Sequence, residues 1–212
     1  MSGAALTVVL LFGDRRAPRP LRRMPTVRVT DSDDPKTTID TATEQAERIV
    51  VLGSSADLST VLTRLMRTER LDVEVAHVTR RWGAGRALTA AAQRVPLIRD
   101  ETGTVLVGAA QWLPADGAEG IEGEAIVDDT VLFDGHAPAL RVEPINAMPG
   151  LRAAVLPGGL LHRPQWVTGR AAQLGTPAAT VIRDGVPMSR PVKRSTFYRH
   201  TQGWLRVGSA RE

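Results

Sequence analysis

The stretch Arg48 to Met66, RIVVLGSSADLSTVLTRLM, decides the fold. Its first five residues, Arg48 to Leu52, form a short apolar run that ends at a glycine, the pattern of a strand buried on both faces. Leu58, Val61, Leu62, Leu65 and Met66 then recur at i, i+3, i+4, i+7 and i+8, one stripe of an amphipathic helix. Between the two lies a strand-to-helix loop, Gly53-Ser54-Ser55-Ala56-Asp57. In an α/β sheet, ligands collect at the carboxyl ends of strands, where free N–H groups at a helix N-terminus hold anions. Gly53, Ser54 and Ser55 are therefore candidate phosphate contacts, although Asp57 in the same turn would repel an anion. The plainer reading is a helix cap by Ser54 or Ser55.

Working outward, Ala5 to Phe12 (ALTVVLLF) reads as another buried strand. The apolar start has no basic segment before it and no small-residue cleavage site after it, so it is expected to be a strand rather than a leader. Gly13 to Pro25, rich in Arg and Pro, is expected to be loop, and Thr26 to Thr30 a short strand. Asp31, Ser32, Asp33 and Asp34 offer cap oxygens ahead of Pro35, predicting a helix over about 35–46. Val73 to Val78 alternates as a strand, Gly83 and Gly85 mark a turn, and Arg86 to Arg94 has the alanine-rich look of a helix. Strands and helices in alternation predict a parallel sheet with right-handed crossovers over residues 1–94.

From residue 95 onward the texture changes. Short strand-like runs at 95–98, 104–109, 125–133, 140–142, 152–156, 179–182 and 204–207 are separated by turn signals at Glu101-Thr-Gly, Asp116-Gly, Phe133-Asp-Gly and Arg183-Asp-Gly. A mainly antiparallel, sandwich-like β lobe over 95–212, with a C-terminal return strand, is the expectation. The fold class is thus α/β plus β.

Composition excludes several classes. The chain of 212 residues is 42% hydrophobic and 24% charged, which fits a globular body and argues against disorder or a coiled coil. With no cysteine there is neither a disulfide framework nor a Cys-based zinc site, and a cytoplasmic location is expected. Only Lys36 and Lys193 among 27 basic residues are lysine, an imbalance expected of a GC-rich genome, such as a high-GC bacterium. His77, His136, His162 and His200 are scattered without metal-ligand spacing, so no metal site is expected.

The loop at Gly53 sits in register with the Gly-Gly-Asp-Gly-Thr loop of diacylglycerol kinases, sphingosine kinases and the related NAD kinases, with only the first glycine kept. Gly83-Ala84-Gly85-Arg86-Ala87-Leu88 resembles that family's Gly-Thr-Gly-Asn-Asp-Leu segment. Ala125 to Gly135 (AIVDDTVLFDG) resembles its Asp-Asp-Gly turn, and Asp184-Gly185-Val186 its Asp-Gly-Glu turn. The resemblance implies an α/β lobe followed by a β-sandwich lobe, with ATP and Mg2+ as cofactors of an ATP-dependent lipid kinase. It implies nucleotide contacts from Gly53, Ser54, Ser55, Gly83, Gly85 and Arg86, and a catalytic base at Asp184.

The departures weaken activity. Ser55 replaces the loop's acid, Arg86 and Ala87 replace an Asn-Asp pair, and Val186 replaces the glutamate. Phosphoryl transfer needs positioning and charge clamping, so the expected function is a catalytically impaired binder of nucleotide, phosphate or lipid headgroup. An active lipid kinase is one alternative. In the impaired form Arg86 would lie directly against an anion or simply face solvent. Asp128 and Asp129 either lie adjacent in a strand-like run, where they would point to opposite faces, or both flank a turn.

The other alternative is an interaction module. Arg190 to His200 (RPVKRSTFYRH) mixes five basic groups with Phe197 and Tyr198, and reads as a solvated basic edge strand. Neither face of it is purely basic, which argues against a nucleic-acid partner. Peripheral contact with a lipid surface and homodimerisation through sheet edges remain open.

Overall fold

The computed structural model describes residues 6–30, 34–79, 83–115, 117–156 and 163–208. Asp31, Ser32 and Asp33 as caps, the Asp116 turn and His162 lie outside the described residues. The chain divides into two compact units, residues 1–95 with 202–212, and residues 96–201.

The first unit is an α/β layer. Strands β1 (Thr7–Phe12), β2 (Thr26–Val29), β3 (Arg48–Leu52) and β4 (Glu74–His77) alternate with helices α1 (Pro35–Thr43), α2 (Ser55–Arg67) and α3 (Ala84–Thr89), and β5 (Ala92–Val95) follows. The far C-terminal strand, here β17 (Trp204–Val207), completes a six-stranded sheet in the order β2-β1-β3-β4-β17-β5. Only β5 runs antiparallel to its neighbour. The two apolar runs behave as strands covered on both faces: Val9, Leu10, Ile49, Val50 and Val51 are fully buried. Helix α2 buries Leu58, Val61, Leu62 and Leu65. Helix α1 starts at Asp34, whose carboxylate accepts from the Lys36 N–H at 3.2 Å.

Arginine forks set where two helices stop. The predicted helix over 35–46 ends at Thr43, and the Arg70 guanidinium gathers the carbonyls of Thr43 (3.2 Å), Glu44 and Ala46 (2.9 Å) beyond it. The predicted helix over 86–94 is instead two elements. Helix α3 closes at Thr89, where Arg48 donates to the carbonyls of Ala87 (3.3 Å), Leu88 (2.6 Å) and Ala90 (3.1 Å). The chain then turns into β5, whose ladder with β17 overrides the helix propensity of the run Ala90 to Ala92 that leads into it. Gly83 and Gly85, read as a turn, are the N-cap and second residue of α3.

The second unit is an eleven-stranded sheet in which every pairing is antiparallel. Its strands are β6 (Ile98–Asp100), β7 (Val105–Leu106), β8 (Ala110–Pro114), β9 (Ile121–Val127), β10 (Thr130–Ala137), β11 (Leu140–Pro144), β12 (Leu151–Val155), β13 (Val167–Gly169), β14 (Ala171–Arg183), β15 (Val186–Pro187) and β16 (Val192–Arg199). The path runs β13-β12-β11-β8-β14-β16-β6-β7, with β9 and β15 also on β14 and β10 on β9. Strand β14 organises it, pairing β9 and β16 along its first half and β8 and β15 along its second. At the core Trp112 and Phe197 pack with ring centroids 5.9 Å apart, and the indole N–H donates to Ser195 Oγ at 2.9 Å. Both partners are buried, so the bond removes the penalty of an unsatisfied polar group.

Three sequence expectations fail here, and one pair of alternatives is decided. The run at 95–98 is no strand, because the chain leaves β5 at Val95 and enters β6 at Ile98. Asp128 and Asp129 form the turn between β9 and β10 rather than opposite faces of a strand. Phe133-Asp134-Gly135 lies inside β10, where a register shift between Val131 and Phe133 absorbs the irregularity that imitates a turn. Finally, the basic segment is not an edge: β16 lies between β14 and β6, with Ser195 and Phe197 facing the core. An interaction module built on a basic C-terminal edge therefore loses its edge.

Candidate functional site

In the first sheet β1 sits between β2 and β3, so successive crossovers leave it in opposite directions. The carboxyl ends of β1 and β3 flank that reversal, the place where α/β sheets hold ligands. After β3, Ser54 adopts an extended backbone and caps α2: its Oγ accepts from the Asp57 N–H at 3.2 Å. Asp57 reciprocates, its Oδ2 accepting from Ser54 N at 2.6 Å and Ser54 Oγ at 2.8 Å. The helix N-terminus thus carries its own anion, which the macrodipole favours. Ser54, not Ser55, makes the cap.

Two further contacts fix this turn. A Cβ on Gly53 would lie 2.6 Å from Asp57 Cβ and 2.7 Å from its Oδ2, so the folded-back carboxylate requires glycine. From the loop after β1, Arg15 Nη1 stands 4.0 Å from the same Oδ2. Arg28 holds that loop by donating to the carbonyls of Gly13 and, at 3.1 Å, Arg15. At the end of β4, His77 Nε2 lies 3.1 Å from the Gly53 carbonyl. Sequence reasoning missed Arg15 and read His77 only as a core or cleft-edge residue of its strand. The signal for them was position, Arg15 in the loop after β1 and His77 at the end of β4.

Gly83, Gly85 and Arg86 lie on α3 in the same unit, and Arg86 is exposed. A Cβ at Gly83 or Gly85 would meet nothing within 4 Å, so packing among the described residues does not demand glycine at either.

Asp184 belongs to the second unit. It and Gly185 form the two-residue turn between β14 and β15, with φ of 49° and 85°, the left-handed pair that a tight hairpin needs. Its carboxylate accepts from Gly108 N at 2.5 Å and Val107 N at 3.1 Å, and its own N–H donates to Ala109 at 2.9 Å. Burial raises its pKa above the usual carboxylate range, against the opposing pull of those N–H groups and of Arg183. The direction suits a base, whereas the geometry commits both oxygens to the backbone. Asp128 repeats the device: with φ of 49° it accepts from Arg170 N at 2.9 Å and Ala171 N at 3.0 Å.

The expected residues therefore fall into one turn (Gly53, Ser54, Ser55), one short helix (Gly83, Gly85, Arg86) and one hairpin of the other unit (Asp184). Asp184 spends both carboxylate oxygens on backbone N–H groups, and Asp57 spends its Oδ2 on the Ser54 N–H and hydroxyl. Among the described residues no three His, Asp or Glu side chains are grouped to hold a metal ion by themselves. Nor, among the described residues, is any helix long and apolar enough to cross a membrane.

No protein-family model matches the chain, and no curated protein matches it. Solved structures do. A diacylglycerol kinase from Bacillus anthracis str. Sterne superposes with a TM-score of 0.70 at 10% identity, over 96% of this chain and 97% of that one. A second diacylglycerol kinase structure from the same organism, the activity of which is provisionally assigned, gives 0.75 at 10% identity over 98% and 99%. An NAD kinase from Archaeoglobus fulgidus, in complex with ATP, gives 0.63 at 12% identity over 95% and 93%. At such low identity the likeness speaks for architecture, and on that ground the chain has the fold of the diacylglycerol and NAD kinases.

Proposed function

We propose that this protein is a kinase-fold binder of a phosphate-bearing ligand, with a nucleotide as the first choice and a lipid headgroup as the second, and that it no longer transfers phosphate efficiently. The observation that carries the reading is the Gly53 turn. Its place at the carboxyl end of β3 is where a ligand phosphate would sit, yet the N–H and hydroxyl donors there are taken by Asp57. A ligand has to displace that carboxylate, which lowers affinity and removes the preorganised charge clamp that transfer requires. The hairpin adds support: Asp184 holds a neighbouring loop, and Val186 supplies no second carboxylate.

The ATP bound by the Archaeoglobus fulgidus NAD kinase makes ATP the natural probe. Calorimetric titration with ATP and with ADP, each with and without Mg2+, is expected to show weak binding that strengthens in Asp57→Asn, where the anion is gone. Incubation with γ-labelled ATP and diacylglycerol or NAD is expected to leave the label on ATP. Transfer of label would replace this reading with an active kinase, and absence of binding by both proteins would end it.

A further inference from the structure

We infer that Arg99, Tyr198 and His200, which share the face of the β6–β16 pair turned away from Phe197, form a binding site for a phosphate group. All three belong to the second unit, so the site is independent of the Gly53 turn.

Strand register gathers the cluster. Tyr198 stands directly opposite Arg99, and Phe197 opposite Asp100. Alternation puts Arg99 and Tyr198 on the face that Phe197 does not use, and His200, two residues beyond Tyr198, on the same face. The His200 N–H donates to the Leu97 carbonyl at 2.8 Å, so the two chains still run together at that point. His200 is therefore the diagonal neighbour of Arg99, within reach of so long a side chain. The Arg99 guanidinium carbon lies 4.4 Å from the centroid of the Tyr198 ring. All three residues are half-buried, each keeping an edge in solvent. Beside Arg99, Leu97 along the strand and Val105 across it on β7 are buried and apolar.

No protein acceptor meets these groups. Arg99 Nε is buried without a hydrogen-bond partner, and among the described residues the side chains of Arg99, Tyr198 and His200 make no hydrogen bond or ion pair. Neither acid that follows Arg99 in sequence pairs with it. Asp100, on the other face, accepts from the Thr102 and Thr104 N–H groups at 2.9 and 2.8 Å and pairs with Arg183. Glu101 gives Oε2 to the Thr196 N–H at 2.9 Å. Stacking on the ring compensates the charge of Arg99 but not its N–H groups, which lie in the plane of the guanidinium. A half-buried cation so placed is costly unless an anion joins it. The same shortage of acids shows at His200, where burial and then the charge of Arg99 hold the pKa below the ordinary 6.5. A phosphate group has the acceptor oxygens to take the guanidinium, the Tyr198 hydroxyl and an imidazole N–H at once. The apolar neighbours Leu97 and Val105 lower the local dielectric and strengthen each contact.

The test titrates the whole chain with inorganic phosphate and, separately, with glycerol 3-phosphate, each against chloride at equal ionic strength, following the His200 ring and the Tyr198 amide by NMR. Both resonances are expected to move saturably, and the midpoint of the His200 titration to rise, because a bound anion favours the imidazolium. Binding is expected to be about ten-fold weaker in Arg99→Met, which keeps an apolar stem against Tyr198 without the donors, and several-fold weaker in His200→Gln. Tighter binding of the ester assigns the site to a phosphate carried on an organic body, and tighter binding of inorganic phosphate assigns it to the free ion. Resonances that move no more in phosphate than in chloride overturn the inference, as does an Arg99→Met protein that binds like the native one. Movement of the Ser54 amide alone would put the phosphate on the Gly53 turn and equally overturn it. Should Arg99→Met not fold, the native titration and His200→Gln decide.

Discussion

Asp57 and Asp184 both give a carboxylate to backbone N–H groups, one over a short span of chain and the other over a long one. Asp57 reaches back three residues to Ser54, whereas Asp184 reaches 76 and 77 residues to Gly108 and Val107. The first contact shapes a single turn that the helix would tend to form anyway. The second joins segments far apart in sequence and extends the β8–β14 ladder, whose pair Ala110 and Arg183 stands next to it. A long-range anchor should therefore matter to stability far more than a local cap.

The sharpest way to break this contrast is Gly123→Ala in β9. Its φ is +130° and a Cβ there would lie 2.0 Å from the Gly175 carbonyl of β14, a backbone atom that cannot swing aside. A loss of about 3–5 kcal/mol is expected by urea denaturation, with hydrogen exchange placing the damage in β9 and β14. Next comes Asp184→Ala, expected to cost about 2–4 kcal/mol, because it strands two N–H groups and puts alanine at φ 49°. Asp184→Asn tolerates the backbone and keeps one acceptor, so about half that loss is expected; equal losses would show that the carboxylate is not the anchor. Ser54→Ala should cost only about 1 kcal/mol, with faster exchange confined to the Asp57 amide. A Ser54 loss matching that of Asp184 would erase the distinction.

The smallest effect is in pH, and its sign differs between the two units. His77 has a folded pKa below its ordinary 6.5, so its contribution is fully present above that value and is lost as pH falls through the folded one. Asp184 has a folded pKa above its ordinary 3.8, so its contribution is present below that value and is lost as pH rises through the folded one. Moving from about pH 7 to about pH 5 should speed exchange around β4, after correction for intrinsic rates, and leave the β14–β15 hairpin unchanged or slower. The same sign in both would refute the assignment of either group.

The same contrast of spans explains what could be read from the sequence. Strands β1 and β3, the apolar stripe of α2 and the Asp184-Gly185 turn each carry their pattern within their own few residues, and all were legible. So was the Ser54 cap, as the plainer of two readings. Strand β5 was not, because the alanine run that leads into it favours a helix and its only described partner, β17, lies more than a hundred residues away. Strand β16 reads as an edge until its two partners are known, and the Asp128-Asp129 turn hides in a run of strand-forming residues. Arginine was discounted as composition, yet Arg28, Arg48 and Arg70 each gather two or three carbonyls, which needs the planar fork and not merely a charge. At the candidate site, the loop was visible from its position, while its occupant Asp57 was visible only as a charge that would repel.

The place of β17 has a consequence in time. A ribosome delivers β1 to β5 first, and among the described residues β5 then has no strand to pair with until residues 204–207 emerge. During that interval the sides of β4 and β5 that β17 will join stay open. The whole antiparallel sheet is synthesised in between. The unit that begins first is thus the unit that finishes last, and its last strand seals the border beside His77.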